Sequence, residues 1–180
     1  MSNWTKEQAN SWYENHGWVV GCNFLPSTAI NQLEMFQDNT FDTETIKKEI
    51  TWASDLGFNS LRIYLHDLLW SDKNSFTSKL DLVLDVCASK NIKPILVLFD
   101  DCHRAYPKLG KQPKPVKGVH NSGWKQSPGH QIVTEIFELN AQKHLKRLQT
   151  YTQELLELYK EDERILMWDL YNEPGQFGIG

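Results

Sequence analysis

Cysteine is scarce: Cys22, Cys87 and Cys102 are the only three. They are too few and too widely spaced for a disulfide framework or a paired zinc motif. No apolar run approaches the ~18 residues that a membrane helix needs. The opening Met1-Ser2-Asn3-Trp4-Thr5-Lys6-Glu7 lacks the apolar stretch of a secretory leader. A long basic run is also missing. With 19 Lys+Arg against 23 Asp+Glu, the net charge of −4 offers no footprint for nucleic acid or an anionic membrane. There is no internal repeat, P-loop, Ser nucleophile elbow or Cys–His dyad. These absences predict a cytoplasmic protein with reduced thiols and neither nucleic-acid nor membrane partners.

What is present is a globular composition, 40% hydrophobic and 23% charged over 180 residues, and a recurring order of apolar run, polar turn and amphipathic helix. A helix carrying Trp4, Trp12 and Tyr13 stops at Gly17, and a strand over 18–24 ends before Pro26. Asp42 can cap the next helix, with Glu44 in its first turn. Ile46, Ile50, Ala53 and Leu56 form its apolar stripe, and Gly57 can take the left-handed position after its end. A strand over 60–65 follows. Phe76, Leu80, Val83, Leu84 and Cys87 mark another helix, and 93–99 reads as a strand buried on both faces. A long connection from Asp100 to about Pro128 leads to a helix bearing Leu145, Leu148, Thr152, Leu155 and Tyr159. The last strand, 165–171, runs into Asn172-Glu173-Pro174-Gly175.

Four strands alternating with helices predict an α/β fold with a parallel sheet. An open doubly wound sheet competes with part of a (β/α)8 barrel. No Gly-x-Gly-x-x-Gly follows the first strand, as a dinucleotide-binding sheet would want. A whole barrel takes ~250 residues, so the barrel reading makes residues 1–180 a partial barrel, strands one to four.

Functional groups of parallel α/β folds sit at the carboxyl ends of strands, where Glu173 falls. Apolar walls from Trp168, Leu170 and Tyr171 would raise its carboxyl pKa, as a general acid near neutral pH requires. The alternative is that Glu173 caps a helix or faces solvent. Asp100-Asp101-Cys102-His103 invites a metal reading. Neighbouring residues of a strand point to opposite faces, however, so His103 fits better as a cleft or loop residue. For His66, beside Asp67, a ligand contact and a structural His–Asp hydrogen bond are both open. Trp124, with Tyr106, His120 and Asn121 on the long loop, either stacks on a sugar ring or packs on the scaffold.

Trp168-Asp169-Leu170-Tyr171-Asn172-Glu173-Pro174 resembles the fourth-strand motif of the retaining glycoside hydrolases of the (β/α)8-barrel superfamily, cellulase family 5-like. Gly57-Phe58-Asn59-Ser60-Leu61-Arg62-Ile63 is similar to their second-strand segment. The stretch from Asn23 to Gln32 resembles a subgroup labelled xylanase-like. The resemblance runs from about Trp18 onward and implies the amino-terminal half of a TIM barrel that cuts O-glycosidic bonds of a β-linked poly- or oligosaccharide. It implies Glu173 as acid/base, Asn172 on the sugar 2-hydroxyl and Arg62 orienting the nucleophilic carboxylate. The nucleophile implied, a Glu ending a seventh strand, lies outside this chain. Asp101, His66, His103 and Trp124 are expected as further substrate contacts. No metal or cofactor is expected, because two carboxyl groups do both proton transfer and nucleophilic attack. A half barrel exposes two strand edges, which predicts pairing with the complementary half or self-association. Two competing readings are a carbohydrate-binding half barrel without turnover and a metal-dependent hydrolase using His66, Asp101 and His103. An inactive truncated product is a third.

Overall fold

A computed structural model describes residues 3–101 and 106–175. Helix α1, Lys6–His16, starts at a Thr5–Gln8 capping box and ends at Gly17 with φ 68°. Strand β1 is Gly21–Asn23, shorter than the 18–24 expected. The Asn59 side chain is the reason: it accepts from the Val20 N–H at 2.8 Å and donates to the Trp18 carbonyl at 2.8 Å. Backbone groups that would begin the ladder are thus satisfied by a side chain.

A short helix, α2 (Gln32–Phe36), was not anticipated; Asn31 caps it by accepting from the Glu34 N–H. Helix α3, Thr43–Asp55, opens at Asp42 as expected, the carboxylate accepting from the Thr45 N–H at 3.0 Å. It closes with Gly57 at φ 86°. There the Gly57 N–H donates to Ser54 at 2.9 Å and the Phe58 N–H to Ala53 at 3.0 Å, the reciprocal pair of a Schellman end. Strand β2, Ser60–Tyr64, leads through a 3-10 turn, Asp67–Asp72, into α4, Lys73–Ser89. Strand β3 is Ile95–Val97. Residues 106–128 carry only turns and bends. The single long helix expected after them is two, α5 (His130–Leu139) and α6 (Gln142–Tyr159), separated by Asn140 in the left-handed conformation. Strand β4 is Met167–Asp169.

The strands form one parallel sheet in the order β1-β2-β3-β4. A doubly wound sheet reverses its order at a switch point. This sheet advances in one direction, as the wall of a (β/α)8 barrel does. Alternation gives its two faces different fates. Leu61, Ile63, Leu65, Leu96 and Leu98 are buried in one core with Ile46, Ile50, Phe76, Leu80, Val83, Tyr151 and Leu155 from the helices. The opposite face carries Arg62, Tyr64, Ile95, Val97, Met167 and Asp169, by register. No described helix is long and apolar enough to cross a membrane.

Candidate functional site

The open face of the sheet carries a polar cluster at its carboxyl end. Arg62 on β2 extends over β3, and its Nε donates to Asp169 Oδ2 on β4 at 3.1 Å. Its Nη2 donates to the same oxygen and to Asn172 Oδ1, the latter at 2.7 Å. Nη1 donates to the Tyr64 hydroxyl, and the guanidinium carbon lies 4.8 Å from the Tyr64 ring centre. One Nη1 hydrogen keeps no partner among the described residues.

Asn172 is fixed by backbone as well as side chain. Its N–H donates to the Phe99 carbonyl at 2.8 Å, and its carbonyl accepts from the Asp101 N–H at 3.1 Å. It forms a parallel bridge with Asp100, extending the β3–β4 pairing past both strands. The next residue, Glu173, has φ 50°. For a residue with a Cβ that region costs about 1–2 kcal/mol, and such outliers gather at functional sites.

Glu173 is exposed, which corrects one expectation: no apolar wall encloses it among the described residues. Leu170 is 62% exposed. Trp168 packs against the helix-side core instead.

Trp124 is half-buried between scaffold and cleft. Its Nε1 donates to Asp100 Oδ1 at 3.4 Å, and its ring meets Tyr64 edge-on at 5.0 Å. With Tyr64, Asn23, Phe24 and Asn121 it lines a cleft of about 300 Å³. Asp101 is buried, accepting from Gln126 Nε2 at 3.3 Å. Burial, with the charges of Asp101 and Asp100, pushes the Tyr171 phenol above its usual range.

His66 is fully buried, its Nδ1 3.2 Å from Asp67 Oδ1. The same Nδ1 accepts from the Leu68 N–H at 3.2 Å. Burial alone would push the Asp67 carboxyl up. The contact with His66, then the Arg147 guanidinium, outweighs it and holds the group well below the usual carboxylate range. His103 and Cys102 lie outside the described residues. Among the described residues no three His, Cys, Asp or Glu side chains come together as a metal site.

The structure thus brings Arg62, Asn172 and Trp124 to one end of one face, with Glu173 directly following Asn172. Asp169 was missed as the partner of Arg62, and Ser127 and Arg147 as the partners of Asp67. Asp169 sits 107 residues from Arg62 in the chain, and alternation alone signalled that it shares the open face.

No family model matches this sequence. No curated protein matches it either. Among solved structures it is similar to an exo-beta-1,4-mannosidase from Opitutaceae bacterium strain TAV5, with a TM-score of 0.61 at 19% identity. The match covers 89% of this chain and 26% of the mannosidase, so the chain spans about a quarter of that protein's length. The likeness establishes a shared fold.

Proposed function

We propose that this chain carries the acid/base half of a glycosidase site, in a protein that hydrolyses β-linked poly- or oligosaccharides with retention. The observation that carries the reading is Glu173. It stands one residue beyond an Asn172 clamped by Arg62 at 2.7 Å, and its backbone is held at φ 50° at the carboxyl end of the sheet. The fold shared with an exo-beta-1,4-mannosidase supports it, as does the family 5-like pattern of both segments.

In the first step a carboxylate from outside this chain attacks the anomeric carbon. The bond to the leaving oxygen breaks, and the Glu173 proton passes to that oxygen. In the second step the ionised Glu173 takes a proton from water. The water oxygen bonds to the anomeric carbon, and the first carboxylate leaves. The two carboxyl groups need to stand ~5–5.5 Å apart. The Arg62 guanidinium would keep the incoming carboxylate ionised by its charge and a single hydrogen bond from Nη1. In this reading Asn172 would contact the sugar 2-hydroxyl, and Trp124 would offer an aromatic face. Further strands of the same barrel, pairing on the open edges of β1 and β4, would bring the second carboxylate.

The test is hydrolysis of β-linked oligosaccharides by the full-length protein. Glu173→Gln is expected to lower turnover by about 10²–10⁴ and to leave oligosaccharide binding within threefold. Binding without turnover in the wild type would instead favour a carbohydrate-binding module, which the cleft of Tyr64, Trp124 and Asn121 would equally serve.

A further inference from the structure

Behind the open face lies a buried charge that the proposed chemistry does not use. Asp67, 3% exposed, sits in the 3-10 turn after β2. Its Oδ2 accepts from Arg147 on α6, and its Oδ1 accepts from the Ser127 hydroxyl at 2.8 Å. The Asp67 N–H donates back to Ser127 Oγ at 3.0 Å, so one hydroxyl is gripped twice by one residue. Ser127 is itself fully buried, and its carbonyl accepts from the Asp100 N–H at 2.8 Å. Asp100 is the residue paired with Asn172 across the β3–β4 extension.

These contacts form a continuous chain: Arg147 holds Asp67, Asp67 holds Ser127, Ser127 holds Asp100, and Asp100 seats Asn172. From this we infer that Asp67 is a positioning residue of the proposed site, acting through Ser127 on the backbone that presents Asn172 and Glu173. The inference rests on the reading of Asn172 and Glu173 as site residues, although the relay itself is a statement about geometry.

Energetics point the same way. A buried ion pair is often no more stabilising than an apolar replacement. Bulk stability therefore accounts poorly for a carboxylate buried under this loop. A charge-assisted acceptor is stronger than a neutral one and fixes its donor's direction. The Ser127 turn has no helix or strand to hold it, since residues 106–128 carry only turns and bends. Side-chain anchoring substitutes for a ladder there.

The experiment compares the full-length wild type with Ser127→Ala and Asp67→Asn in two measurements. Amide hydrogen exchange reads the relay without any need for turnover. In both variants protection at Asp100, Asp101 and Asn172 should fall at least tenfold more than at Ile63 and Leu96, whose core amides report any loss of global stability. Unchanged protection at the three amides, or an equal loss across the core, would overturn the proposal. Steady-state hydrolysis reads the consequence: kcat should fall tenfold or more with KM within threefold. Tenfold lower protection with kcat unchanged would leave a structural relay and refute the positioning role. A wild type that hydrolyses no glycoside, with the local exchange effect present in both variants, would refute the glycosidase reading and leave the relay standing. Ser127→Ala, which removes one oxygen, supplies the result if Asp67→Asn does not fold.

Discussion

Arg62 and Asp169 meet across an intervening strand, Nε to Oδ2 at 3.1 Å, with β3 between their own strands. Strands two apart lie roughly 9–10 Å from each other, a span that only a long side chain such as Arg bridges. The pair ties the second strand to the fourth and presents the guanidinium to Asn172 on the open face. Lys would reach Asp169 as a point charge but could not hold Asp169, Asn172 and Tyr64 together. Arg62→Lys is therefore expected to lower kcat/KM for glycoside hydrolysis by at least tenfold. The unfolding midpoint in urea should move little, because Lys keeps a positive charge opposite Asp169. Unaltered kcat/KM would remove Arg62 from the site.

Glu173 carries backbone strain that its side chain does not require. Glu173→Gly relieves about 1–2 kcal/mol of left-handed strain and loses roughly 0.5–1 kcal/mol to unfolded-chain entropy. The expected net is a gain of a few tenths to about 1 kcal/mol in urea unfolding, accompanied by loss of turnover. Glu173→Gln keeps the strain, and being exposed should leave stability within about 0.5 kcal/mol. If Glu173→Gly destabilises, the strain argument fails.

Asp67 gives the protein an acid-sensitive element. Its folded-state pKa lies below the unfolded value of about 4. The stabilisation is thus complete above about pH 4 and is lost as the pH falls toward the folded-state value. Asp67→Asn should cost about 3 kcal/mol at neutral pH, and its stability should vary less than the wild type's below pH 4. Urea midpoints from pH 7 down to 2.5 check this: the two curves are expected to converge. Parallel curves would mean that the carboxylate is not held ionised.

Close approach governs Gly21. A Cβ there would stand 2.0 Å from the Ser60 carbonyl oxygen, a backbone atom that cannot move aside. Gly21→Ala is expected to destabilise by about 1–3 kcal/mol and to raise amide exchange at Cys22 and Leu61. An Ala variant with wild-type stability would place β1 differently.

Much of the scaffold was legible because its signals are local. The Asp42 cap, the stripe of Ile46, Ile50 and Ala53, and Gly57 lie within one helix and its ends, where spacing and capping chemistry decide the outcome. The strands were legible as apolar runs, but their ends were not. Asn59 shortens β1 with its side chain, and nothing in residues 18–20 announces a partner some forty positions on. The split between α5 and α6 turned on Asn140 adopting a left-handed conformation within a plausible helical pattern. At the site, the position of Glu173 after the last strand was readable, whereas the choice between enclosure and exposure was not. Enclosure depends on what packs against Leu170 and Trp168, which is a tertiary matter. Asp67, beside the buried His66, finds its partners in Arg147 and Ser127, residues 80 and 60 positions away.

The central claim is that Glu173 is the acid/base of a retaining glycosidase, and Glu173→Ala in the full-length protein tests it most directly. The substrates are dinitrophenyl β-glycosides, whose leaving group needs no proton, assayed with and without azide. The account predicts a rapid first turnover followed by slow steady-state release. Azide should accelerate that release and yield a glycosyl azide of retained configuration, because a small anion can replace the water that Glu173 would have activated. Steady-state hydrolysis of β-linked oligosaccharides at the wild-type rate, with no burst and no response to azide, would contradict it.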